Sequence, residues 1–153
     1  MKPRIYIDTS VIGGYFDKEF MVATEKLFKR IENCDFDIFF SNINEAELEL
    51  APKHVKEIVK IFPDSCLNTI KINEDIEELA QTYIREKALG KASENDAYHI
   101  ALASVNRLDC LISWNFKHIV NFDKIKMFNS INIRLGYPII DIRSPLEFLK
   151  NEE

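Results

Sequence analysis

The chain has 153 residues, 46% of them hydrophobic and 29% charged, with a formal net charge of −5. That length suits one domain built on one core. No run reaches the roughly 18 apolar residues of a membrane span, and the acidic balance argues against nucleic-acid binding driven by charge alone. An enzyme that meets phosphates through metal ions is still allowed, because divalent cations reverse the local sign of a carboxylate cluster. Met1-Lys2-Pro3-Arg4 leads into only three apolar residues before Asp8, so no signal peptide is recognised and the cytoplasm is the expected location. Cys34, Cys66 and Cys110 are widely spaced and form no CxxC; they read as reduced, buried small apolar residues, neither a disulfide framework nor a zinc knuckle.

In chain order, Arg4 to Ile7 is a short apolar strand that runs straight into Asp8, Thr9 and Ser10. A carboxylate at the C-terminal tip of such a strand lies where open α/β sheets present ligand-facing groups; the plainer reading makes Asp8 a helix N-cap. Phe20 to Ile31 has apolar residues at helical spacing, and Phe36 to Phe40 reads as a second, buried strand ending at Ser41. Ser41 then N-caps an acid-rich helix, and Lys53 to Phe62 is amphipathic. Leu67 to Ile72 is a third strand candidate, followed by a helix from Asn73 to about Lys87 that Gly90 ends. The next helix opens at Ser93 to Asp96 and is apolar nearly all round, which makes it central to its domain.

Cys110 to Ser113 is a short buried strand, Phe122 to Ile133 a helix or irregular segment, and Ile139 to Ile142 the last strand. Ser144, Pro145 and Glu147 form a capping box for a terminal helix. Strands alternating with helices throughout predict a mostly parallel sheet covered on both faces. Gly13-Gly14 lacks the length and the following Lys of a phosphate-binding loop.

The C-terminal strand ends of a parallel sheet share one edge, so Asp8, a Glu of the 45 to 49 run, Asp96 and Asn115 can converge there. Convergent carboxylates repel unless a cation compensates them, and hard oxygens suit magnesium or manganese. Such clusters hydrolyse phosphodiesters by activating water and stabilising the leaving oxygen.

The motifs Ile5 to Ser10, Ser41 with its Glu-rich helix, Asn95 to Ala103 and Leu111 to Phe116 resemble, in order, those of PIN domains, in particular VapC-type toxin ribonucleases. The resemblance covers essentially the whole chain. It implies a three-layer α/β/α fold over residues 1–153 as one domain, a magnesium or manganese site, single-stranded RNA as substrate, a small antitoxin as partner and a homodimer. Matched position by position, it makes Asp8 the first acid and a direct metal ligand. Glu47, followed by Leu48, fits the second acid better than Glu45 or Glu49, and Asp96 matches the third, with an N-cap as its alternative role. Asn115 stands where many members carry a fourth acid; it brings no charge, which points to one-metal catalysis or to a second ion recruited only with the RNA phosphate. Thr9 and Ser10 are candidates to bond the phosphate or a metal-bound water.

Weaker candidates have plainer readings. His99, three residues after Asp96, is expected to be packed, as are His118 and Trp114, which could otherwise touch a phosphate or stack on a base. Lys53, His54, Lys56 and Lys60 read as a solvated helix face. The sequence thus supports a metal-dependent endoribonuclease using Asp8, Glu47 and Asp96 with help from Asn115; the alternatives are a PIN-like module that binds without cleaving and a flavodoxin-like binding domain.

Overall fold

The structure is a computed structural model that describes residues 1–150. Its centre is a five-stranded, all-parallel sheet in the order β3-β2-β1-β4-β5, with β1 Arg4–Ile7, β2 Asp37–Ser41, β3 Leu67–Ile70, β4 Cys110–Ile112 and β5 Ile142–Arg143. The register pairs Tyr6 with Phe39 on one side and Leu111 on the other, so β1 is flanked on both edges. Strands covered on both faces carry continuous apolar runs rather than alternating ones, as Ile5, Tyr6, Ile7 and Cys110 to Ile112 do.

Side chains alternate across a strand, and that alternation divides the core in two. Tyr6, Phe39 and Leu111 point into a layer made by α5 (Glu74–Arg85), α6 (Glu94–Val105) and α7 (Phe122–Arg134). Ile5, Ile7, Ile38 and Ile112 point into the opposite layer, made by α1 (Thr9–Gly14), α2 (Met21–Glu32), α3 (Asn42–Glu49), α4 (Lys53–Ile58) and α8 (Pro145–Lys150). The result is a three-layer α/β/α fold. From β1 the chain winds outward through β2 to β3, then crosses to β4 and β5 on the other side of β1. The strand order therefore reverses between β1 and β4, and open α/β sheets bind ligands outside the strand ends at such a reversal.

Several local expectations hold in atomic detail. Ser41 caps α3 in a capping box with Asn44, and Ser144 Oγ accepts from the Glu147 N–H while Glu147 Oε1 accepts from the Ser144 N–H, both at 3.2 Å. Others shift for identifiable reasons. The last strand is confined to Ile142–Arg143, because the Ile140 N–H and carbonyl both bond the Asn129 side chain instead of a neighbouring strand. β3 stops at Ile70, and the Ile72 N–H goes to Asn42 Oδ1. The amphipathic run after Pro52 is α-helical only to Ile58 and continues as a 3-10 turn over Val59–Ile61. The segment left open between helix and irregular structure is α7, with Asn121 Oδ1 accepting from the Lys124 N–H at its start.

The cysteine reading needs a correction. Cys110 is free and buried as expected, but Cys34 and Cys66 form a disulfide between the loop after α2 and the turn before β3, with Cα atoms 5.8 Å apart. Their separation of 32 residues gives no local spacing signal; the parallel pairing of β2 with β3 brings them together.

Candidate functional site

The C-terminal ends of β1, β2 and β4 meet the N-terminal end of α6 at one edge of the sheet. Asp8 leaves β1 and occupies the N-cap position of α1 without making a side-chain cap bond. Its carboxylate instead accepts from Ser10 Oγ at 2.6 Å and Ser113 Oγ at 2.8 Å. Those two hydroxyls in turn accept the N–H groups of Trp114 and Asn115, each at 2.9 Å, which fastens the loop after β4 to the end of β1. Asp8 is only 3% exposed. Burial pushes its carboxyl upward, partly offset by His99 and the two serines, and the Asp96 charge adds to the rise.

Asp96 lies inside the first turn of α6, whose N-cap is Ser93, so it is not itself the cap. Burial raises its carboxyl too, His99 and His118 oppose that, and the Glu47 charge pushes it up again. Asn115 Nδ2 donates to Asp96 Oδ2 at 3.3 Å, while Asn115 Oδ1 accepts the His118 N–H at 3.0 Å. The amide oxygen that could have faced a cation thus closes the 115 to 118 turn, and the amide nitrogen orients an acid.

On α3, Glu45 and Glu49 are exposed, whereas Glu47 turns inward. Glu47 Oε1 accepts from Thr9 Oγ1 at 2.8 Å and pairs with His99 Nε2 at 2.7 Å. Burial works against its charged form, but the hydrogen bond and charge of His99, with Thr9 and Asn95, hold it below the usual carboxylate range. A cleft of about 380 Å³ opens beside it, bounded by Glu47, Ala92, Ser93, Glu94, Asn95 and Asp96.

Among the described residues, no Lys or Arg forms an ion pair with Asp8, Glu47 or Asp96. These buried or half-buried carboxylates offer hard oxygens with no Lys or Arg partner, Glu47 being paired with His99, and have the donor chemistry of a magnesium or manganese site. They are not drawn into one ligand cluster: among the described residues, no three His, Cys, Asp or Glu side chains are grouped closely enough to hold an ion.

The other candidates are accounted for locally, except His118, whose buried Nδ1 has no hydrogen-bond partner among the described residues. The Thr9 and Ser10 hydroxyls are engaged by Glu47 and Asp8. Trp114 is buried, stacks on Phe20 with ring centres 4.2 Å apart and donates from Nε1 to Thr24. Lys53, His54, Lys56 and Lys60 are exposed on and just beyond α4, with Lys53 near Glu57 and His54 edge-on to Phe16. His99, expected as a packed residue, is buried but fully hydrogen-bonded: Nδ1 meets the Tyr6 hydroxyl at 2.5 Å and Nε2 meets Glu47. Ser113 and Tyr6 were not singled out in the sequence. A Tyr in a strand buried on both faces needs a polar partner for its hydroxyl, and that was the available signal.

A comparison with protein-family profiles matches residues 5–124 to the PIN domain, so the chain belongs to the PIN domain family. Its fold is shared by solved toxin-antitoxin structures. A toxin-antitoxin complex from Klebsiella pneumoniae is 24% identical, with a TM-score of 0.54 over 74% of this chain and 88% of that one. VapBC2 from Rickettsia felis, bound to a promoter DNA fragment, is 16% identical, with a TM-score of 0.59 over 92% and 98%. VapC20 of Mycobacterium tuberculosis, described as a toxin that cleaves the sarcin-ricin loop, is 15% identical, with a TM-score of 0.56 over 74% and 92%. No curated protein matches the sequence. Among the described residues, no helix is long and apolar enough to cross a membrane.

Proposed function

We propose that the protein is a metal-dependent endoribonuclease that cleaves single-stranded RNA, acting as the toxin of a toxin-antitoxin pair. The observation that carries this reading is Asp8, a buried carboxylate bonded to two hydroxyls and to no basic side chain, near enough to Asp96 for the two charges to interact, where the strand order reverses. Asp8, Glu47 and Asp96 would hold magnesium or manganese. An ion bound there supplies a Lewis acid that activates water and offsets the charge of the phosphodiester.

The remaining groups act on these acids. Ser10 and Ser113 fix the plane of the Asp8 carboxylate, and Asn115 Nδ2 orients Asp96. Thr9 holds Glu47 from the α1 side. None of them serves as a covalent nucleophile. Without a cation the cleft repels RNA, so substrate binding depends on the metal. A negatively charged cleft also suits an antitoxin segment bearing Arg, whose guanidinium pairs with carboxylates in bidentate fashion, and a homodimer is part of the same reading.

The test is cleavage of a mixed single-stranded RNA by purified protein, with magnesium or manganese against EDTA, alongside Asp8→Ala and Asp96→Ala. Fragments are expected from wild type with metal and from neither variant. A second reading, a PIN-like module that binds without cleaving, is favoured by the uncharged Asn115. RNA binding that both variants retain, with no fragment from wild type under any metal, would establish it instead.

A further inference from the structure

A buried hydrogen-bond chain runs from the end of β2 to Glu47 and crosses the interior on Tyr6 and His99. Ser41 Oγ accepts the N–H groups of Ile43 and Asn44, donates to Asn44 Oδ1 at 3.2 Å and lies 2.7 Å from the Tyr6 hydroxyl. The Tyr6 hydroxyl bonds His99 Nδ1 at 2.5 Å, and His99 Nε2 donates to Glu47 Oε1 at 2.7 Å. An ionised Glu47 can only accept, so Nε2 carries the proton of that bond. A second branch reaches the same oxygen, with Asn44 Nδ2 donating to Thr9 Oγ1 at 3.1 Å and Thr9 donating to Glu47 at 2.8 Å.

His99 is 2% exposed and Tyr6 is fully buried, so neither can touch RNA. Glu47 lies on α3 and packs from the layer opposite α6, which carries both His99 and Asp96. The imidazole is a strut across the sheet edge between two acids on different helices. Asp96 and His99 are one helical turn apart and share a face of α6, so whatever fixes Glu47 to His99 also fixes it relative to Asp96. Both branches end on Oε1.

We infer that His99 is a positioning residue for the metal site: oriented by Tyr6, it holds Glu47 at the place where that carboxylate completes the oxygen set with Asp8 and Asp96. The inference rests on the metal-dependent ribonuclease reading. Groups that orient a ligand through a hydrogen bond change metal affinity by about 10- to 100-fold when removed.

Manganese binding by calorimetry in the absence of RNA, with the melting temperature of each metal-free variant as a fold control, tests it. His99→Ala should weaken manganese binding by about 10- to 100-fold. His99→Gln places an amide N–H where Nε2 was and should recover most of the affinity, whereas His99→Asn, whose amide reaches only the Nδ1 position, should not. Tyr6→Phe leaves the ring unoriented and should give a smaller loss, about three- to tenfold. If His99→Ala does not fold, the Gln and Asn variants decide the question by the same comparison. Binding by His99→Ala equal to wild type, or Gln and Asn variants equally weak, would overturn the inference while leaving the ribonuclease reading intact. A wild-type protein that binds no manganese and cleaves no RNA would overturn both.

Discussion

Asp8→Asn is expected to abolish RNA cleavage and, in EDTA, to raise the melting temperature. The first effect follows from the proposed role: losing several kcal/mol of charge stabilisation in the transition state corresponds to a rate loss of about 10³-fold or more. The second follows from burial. Asp8 is held in its charged form by two serine hydroxyls, with no basic side chain bonded to it, and Asp96 repels it. Asn keeps the shape, and its amide can still bond the two hydroxyls, while the charge is gone. At this chain length each kcal/mol relieved raises the melting temperature by about 2–4 °C.

The pH dependence has a definite sign. Because the folded Asp8 carboxyl holds its proton to higher pH than it does in the unfolded chain, the folded state binds more protons over that window. Its contribution to stability therefore falls as pH rises from the unfolded value through the raised folded one. Asp96 acts in the same direction and Glu47 in the opposite one. Thermal melts of wild type and Asp8→Asn in EDTA, from about pH 4 to about pH 8, should converge toward the acid end and separate toward neutrality, with the variant more stable. A variant less stable than wild type at neutral pH would make Asp8 a structural residue.

Gly14→Ala should destabilise the protein by about 1–3 kcal/mol, whereas Gly13→Ala, one residue away, should be neutral or stabilising by up to about 1 kcal/mol. A Cβ on Gly14 would lie 2.6 Å from Cδ1 and Nε1 of Trp114 and 3.0 Å from Thr24 Oγ1. Trp114 cannot simply step aside, because it is stacked on Phe20 and its indole N–H is bonded to Thr24 at 2.9 Å. A Cβ on Gly13 meets nothing within 4 Å, so only the backbone term remains, and Ala is the better helix former. Urea denaturation of the pair separates these outcomes. Equal midpoints would mean that the indole moves at little cost.

How far the sequence can be read differs between elements for physical reasons. The strand ending at Asp8, the all-round apolar character of α6 and the capping box at Ser144 are local patterns, and each appears where its periodicity or spacing places it. Glu47 is preferred over its neighbours because the resemblance implies a second acid just before a Leu, and residues two apart on a helix point in nearly opposite directions; Glu45 and Glu49 are exposed. The partners of these acids were not legible. Ser113 reaches Asp8 across 105 positions, and His99 reaches Glu47 across 52. A histidine on an apolar helix gives no sign of which distant carboxylate it will meet. His99 was correctly expected to be buried, and its hydrogen bonds came only with the fold. The Cys34–Cys66 pair and the capture of Ile140 by Asn129 are long-range or irregular in the same way.

The central claim is that Asp8, Glu47 and Asp96 together hold a divalent cation. Anomalous diffraction at the manganese edge, from crystals grown with manganese, tests it most directly. The prediction is a peak bounded by oxygens of all three carboxylates, at about 2.0–2.3 Å as hard-cation ligation requires, which disappears in Asp8→Asn. A peak elsewhere, or none while the three carboxylates keep their hydroxyl, amide and imidazole partners, would contradict it.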